Sequence, residues 1–156
     1  MMDWFVKAFL KASLAWLGLG VSLGLAMAVH PAWAVWRTAH LHMNLLGFVT
    51  MMIFGVAYHV IPRFTGHPLA MPRLAGVHWW TSNVGLALFA VGLGLRGHAI
   101  AGAALPVALG GLLSALGAYF FIANIWRTID GPKGLRRVAQ AAQGAPATRR
   151  PPVVAQ

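Results

Sequence analysis

The chain contains no cysteine. That excludes a disulfide scaffold, a thiolate metal site and covalent haem attachment through CxxCH. Charge is nearly as scarce, at 9% of 156 residues, and only Asp3 and Asp130 are acidic. A soluble domain carries about 25% charged residues. Apolar residues reach 59%, the mean hydropathy is +0.70 and the mass is 16.7 kDa. A chain this small cannot bury so much apolar surface around one aqueous core. What remains is an all-α integral membrane protein.

What charge there is cuts the chain into uncharged runs: 12–36, 38–62, 74–95 and 97–126. Each exceeds the ~20 residues a helix needs to cross ~30 Å of hydrocarbon. None shows the alternation of a membrane β-barrel strand. The runs predict four helices, about 8–29, 39–62, 74–95 and 100–126, joined by short loops into an antiparallel transmembrane bundle over 1–126. Residues 127–156, basic and rich in Pro and Ala, predict a disordered tail.

The basic residues set the orientation. Lys7, Lys11, Arg63, Arg73 and six residues from Arg127 onward fall on one side, Arg37 and Arg96 on the other. Ten against two predicts both termini in the cytoplasm of a bacterial-type inner membrane, as a multi-pass protein. Lys7, Lys11 and Ala32-Trp33-Ala34 have the outline of a signal peptide, but the apolar stretch is too long for its core, so a retained helix is expected. The net charge of +10 then belongs to anionic lipid headgroups, with no nucleic-acid partner. Trp4, Trp33, Trp36 and Trp126 read as interfacial anchors. Gly20 with Gly24, and Gly110 with Ser114 and Gly117, read as close helix contacts.

Histidine is the unusual residue, with seven in a chain of two carboxylates. His30, His40, His42 and His98 fall on the outer side; His59, His67 and His78 fall on the inner. Ionisable groups at membrane depth are costly and mark function, although His30, His67 and His98 singly also suit helix ends resting in the interface. At ~100° per residue His40 shares a stripe with Asn44, Gly47, Met51 and Tyr58, so it is expected inside the bundle. His42 shares its face with Leu45, Val49, Ile53 and Val56, a face suited to lipid or a partner helix. His59 and His78 come to similar depth. A second haem, a metal or a quinone head are the readings open to that pair, beside plain polar helix ends.

The stretch Arg37-Thr-Ala-His40-Leu-His42-Met-Asn44-Leu-Leu-Gly47-Phe, running to Phe54-Gly55-Val-Ala-Tyr58-His59-Val-Ile-Pro62, resembles the second helix of haem-copper oxidase subunit I. It is similar to the cbb3 and nitric oxide reductase branches and, less closely, to NnrS-like proteins. Pro72-Arg73-Leu74 and Trp79-Trp80 resemble the next loop and helix start, so the likeness covers about residues 35–82. In that family this helix carries an axial histidine of a low-spin haem. Matching Phe54-Gly55, or Arg37 in an R-x-x-H pattern, puts the ligand on His40; matching His-x-Asn-Leu-Leu puts it on His42. The expected cofactor is a b-type haem, with iron bound by His40 or His42, and with copper as a further expectation. Arg37 would face a propionate, and His98, His30, Met43 or another copy would supply the second axial ligand.

The resemblance implies electron transfer or binding of a diatomic gas, O2 or NO. The helices that bring the binuclear centre in the family have no counterpart in these residues, and the apolar runs hold no carboxylate for a proton relay. A complete oxidase is therefore not expected. An NnrS-like haem or copper protein for nitric oxide response or assembly is the alternative, or a structural subunit of a larger respiratory complex. Expected partners are the bilayer, a dimeric or trimeric homo-oligomer or a respiratory complex, and quinol or a cytochrome.

Overall fold

In a computed structural model residues 2–132 are described, and all their regular structure is helical. Helix α1 spans Trp4–Val29. A 3-10 turn, Pro31–Trp36, leads into α2, Arg37–His42, which passes into a π-helical segment, Met43–Thr50, and then α3, Met51–Thr65. Helix α4 covers Pro72–Gly97 and α5 covers Ala104–Asp130. The rods extend past the uncharged runs because Lys7, Lys11, Arg63 and Arg73 continue the helices toward the interface. Arg127 to Asp130 also continue α5, and the rest of the basic tail lies outside the described residues.

The four rods alternate in direction. The start of α1 meets the end of α3, where Phe5 stands edge-on to Tyr58 at 5.6 Å. Gly76 near the start of α4 faces Trp4. Asn124 near the end of α5 holds the loop before α4, accepting from Met71 N at 3.0 Å and donating to Met71 O at 2.9 Å. The start of α1 and the end of α5 therefore lie at one end of the bundle. With hardly any carboxylates, amide and hydroxyl groups do this stapling: Ala70 N also donates to Thr128 Oγ1 at 3.0 Å. Gly66, at φ +69°, ends α3 in the left-handed conformation that glycine adopts freely.

Three described stretches are long and apolar enough to cross a membrane: Trp4–Val29, Pro31–Thr65 and Ala104–Asp130. Helix α4 matches them in length but is less apolar, since it carries His78, Thr81, Ser82, Asn83 and several glycines. The reason is its position. Its buried face, including Ala75, His78, Ser82, Gly85, Leu86, Ala90 and Gly92, touches protein rather than lipid. It runs along α5 level by level: Gly92 against Val107, Gly85 against Ser114, Ser82 against Gly117. The small-residue spacing of α5 is this intrachain seam. Large apolar side chains such as Leu14, Leu25, Ile53 and Leu112 point outward and are exposed, as a lipid-facing surface requires.

The second rod departs from the expected wheel. Its buried positions recur every four residues, Ala39, Met43, Gly47, Met51 and Gly55. A straight α-helix would drift about 40° over each such step, and about 160° from Ala39 to Gly55. The i→i+5 bonds of the π segment widen the turn and remove the drift. Thr50 Oγ1 donates to Leu45 O, five residues back, at 2.8 Å. Ala39 and Met43 form the innermost line at the outer end, and His40 and His42 flank it.

Candidate haem-ligand site at the outer end

His40 turns toward α1. Its Nδ1 lies 2.9 Å from Gly20 O. A carbonyl can only accept, so Nδ1 carries the proton and Nε2 keeps its lone pair. Asn44 sits beside the ring, 3.3 Å from Nδ1, and its amide donates to His40 O at 2.9 Å. Glycine makes this approach feasible. A Cβ on Gly20 would stand 2.6 Å from Asn44 Nδ2, and one on Gly24 would stand 2.9 Å from His40 Cε1. The G-x-x-x-G of α1 is thus the seat of His40 and Asn44.

His42 turns the other way. Its Nδ1 lies 2.8 Å from Thr38 O, which fixes the same tautomer, and its ring meets Phe89 of α4 edge-on at 4.8 Å. Within the chain His42 is half-buried, one side of its ring against α4. The two histidines lie on opposite flanks of one rod and do not converge. His98 is exposed and meets the edge of Trp36 at 5.9 Å. His30, exposed, follows the end of α1, its N–H bonded to Ala26 O. Arg37 is exposed at the start of α2.

The tryptophans divide. Trp33 and Trp126 are largely exposed, as anchors are. The benzene ring of Trp36 instead lies on Gly94 of α4. Trp16 packs on Gly47 and donates from Nε1 to Asn83 Oδ1 at 3.1 Å. With Ala39, Met43 and Ala90, Trp16, Trp33 and Trp36 border an apolar groove of about 470 Å³ between α1 and α4.

At the inner end His59 and His78 are not brought together. His59 is hydrogen-bonded to Arg63, one turn on. His78 is wholly buried, with Nδ1 2.9 Å from Tyr58 Oη and its ring against Phe9, Phe54 and Phe121. His67 lies against Gly131. Tyr58 was legible only as a member of the polar stripe on the second rod; its pairing with His78 had no local signal, because twenty residues and a loop separate them.

Among the described residues no group of three or more His, Cys, Asp or Glu is placed to hold a metal ion. A copper ion bound by protein alone has no such donor set there. A haem asks for less, since the porphyrin supplies four nitrogens and the protein one or two axial ligands. An imidazole whose Nδ1–H is held by a backbone carbonyl is the usual form of such a ligand. His40 and His42 both meet that condition.

The comparisons with known proteins give the family. The model of the family "cytochrome C and quinol oxidase polypeptide I" matches residues 5–141. A cbb3-type cytochrome c oxidase subunit CcoN1 of Stutzerimonas stutzeri is 30% identical over 100 residues, covering 60% of this chain and 21% of the relative. Cytochrome c oxidase subunit 1 of Rhodobacter capsulatus is 27% identical over 119 residues, covering 60% and 22%. Cytochrome c oxidase subunit 1 of Thermus thermophilus is 29% identical over 103 residues, covering 59% and 94%. The chain spans about a fifth of the first two relatives. An all-helical membrane chain, matched by the family model over most of its length, belongs to the cytochrome c and quinol oxidase polypeptide I family.

Proposed function

We propose that the chain is a membrane-embedded b-type haem protein that serves electron transfer or binds a diatomic gas such as O2 or NO. The observation that carries this reading is the 2.9 Å contact of His40 Nδ1 with Gly20 O. It orients the ring from outside and leaves Nε2 as a basic nitrogen, which is what an axial ligand of haem iron needs. His42, prepared in the same way on the opposite flank, is the second choice. Bound there, haem supplies a one-electron couple and, with its sixth position open, a place for a gas molecule.

The chain's own residues then have separable tasks. Gly24 leaves room for the ring and Gly20 for Asn44, whose amide holds the backbone of its turn. Arg37, exposed one turn before His40, offers a guanidinium to a propionate. The second axial ligand comes from His98, His30, Met43 or another copy. A homo-oligomer, dimeric or trimeric, brings such a copy, and a place within a respiratory complex is the other assembly. Quinol or a cytochrome is the redox partner. The helical part, 1–126, sits in the bacterial cytoplasmic membrane with both termini inside, and the basic tail from 127 lies along anionic headgroups.

The purified protein tests the reading. Absorption with sharp reduced α-bands is expected, with haem lost in His40→Ala while the four apolar rods keep the protein inserted. His42→Ala should be milder, and should equal His40→Ala only if haem sits between copies. A colourless preparation, or an unchanged spectrum in the His40→Ala, His42→Ala double variant, overturns it.

A further inference from the structure

The haem reading makes no use of the α4–α5 seam, yet three buried polar atoms among the described residues have no protein partner. One is Nε1 of Trp79; the other two are Nε2 of His78 on α4 and Oγ of Ser114 on α5. Leaving such a group unpaired is destabilising. Both lie on the α4–α5 seam, with Ser82, 6% exposed, between them one turn beyond His78. Ser82 Oγ and the Cδ2 edge of His78 both border Gly117, where a Cβ would stand 2.6 Å from the one and 3.3 Å from the other. Ser82 Oγ and that ring edge therefore lie near each other along the seam.

The seam also contains space. A cavity of about 50 Å³ is bordered by Thr50, Phe54, Ser82, Ser114 and apolar neighbours. A buried water needs room for about one probe sphere and two to four polar partners. Ser82 and Ser114 are among the residues that border it, whereas cavities that stay dry are lined by apolar side chains alone.

We propose that this seam is a binding site for ordered water inside the bundle. Water in the cavity joins Ser114 Oγ to Ser82, and a bridging molecule continues to His78 Nε2. With Tyr58 as the donor to Nδ1, Nε2–H is the donor to water. The string Tyr58–His78–water–Ser82–water–Ser114 is a hydrogen-bonded relay built without a carboxylate.

Nuclear magnetic resonance of the full chain in detergent micelles, labelled with ¹⁵N-histidine and assigned through His78→Phe, tests it. The expected result is a neutral Nε2–H tautomer at His78 with magnetisation transfer from water to that proton. Ser82→Ala should weaken the transfer and Ser114→Val, which fills the cavity, should reduce it, both with the tautomer kept. A wild-type His78 with no water transfer, or with the Nδ1–H tautomer, overturns the proposal; this measurement decides even where a cavity variant fails to insert.

Discussion

Gly24 faces the imidazole of His40 so closely that a Cβ there would stand 2.9 Å from Cε1. The ring cannot retreat freely, because its Nδ1 is held by Gly20 O on the same helix. Gly24→Ala should therefore tilt the ring and lengthen that bond. Groups that orient a metal-binding histidine are worth about tenfold to a hundredfold in affinity. Haem content after titration with hemin should fall accordingly, whereas Gly18→Ala, with nothing within 4 Å of its Cβ, should bind as wild type. Equal binding by both variants would remove Gly24 from the site.

Trp36 and Gly94 form a second fitted pair, tighter than the first. A rigid indole moves less readily than a flexible chain, so Gly94→Ala must displace Trp36 or part α4 from the outer end of the second rod. Overpacking of this kind costs about 1–3 kcal/mol. The helix propensity of alanine returns only about 1 kcal/mol. Thermal unfolding in detergent should show Gly94→Ala less stable than both wild type and Gly18→Ala.

Tyr58 and His78 tie α3 to α4 through one buried hydrogen bond. Tyr58→Phe leaves Nδ1 of His78 unpaired, and His78→Leu takes from the tyrosine hydroxyl this one partner; each should destabilise by about 1–3 kcal/mol. The double variant removes both partners and should cost less than the sum of the two. Denaturation of all four proteins gives the coupling directly. Strict additivity would mean the two groups do not interact.

The rods were legible because charge is so rare that each Lys or Arg marks an interface; the gaps between them locate the apolar spans. The outer histidines were legible too, since His40 and His42 open the second rod beside Asn44. Their directions were only half legible. The wheel assumed a uniform 100° per residue, and nothing in Met43–Thr50 announces that its ladder shifts to i→i+5. The face read as suited to lipid or a partner helix, Leu45, Val49, Ile53 and Val56, is exposed, and the contact of His42 with Phe89 of α4 at its end was not legible. The service of Asn124 to the α3–α4 loop was equally hidden, because a long-range amide pair leaves no periodic trace.

Lys7, Lys11, Arg63, Arg73 and Arg127 gather at the end of the bundle where α1 begins and α5 stops. Placing that end in the cytoplasm predicts that a C-terminal green fluorescent protein fusion fluoresces and a C-terminal alkaline phosphatase fusion stays inactive. The opposite pair of readings would invert the topology.

The π segment gives the sharpest test, because it separates the two ends of one rod. Val49 lies within it and is exposed. Deleting Val49 lets the ladder relapse to i→i+4: the drift of about 160° returns, the lost residue takes back about 100°, and everything on its outer side turns by about 60°. His40 and Asn44 would leave their seats on Gly24 and Gly20, while Tyr58, beyond the segment, would still meet His78. The expected outcome is loss of haem binding with the ¹⁵N signature of His78 retained. Thr50→Ala is the gentler companion. It removes the 2.8 Å bond to Leu45 O, worth about 0.5–1.5 kcal/mol, and should lower haem retention less than the deletion does. Full haem content in the Val49 deletion, or loss of the His78 signature with haem kept, would show that the π segment does not set the direction of His40.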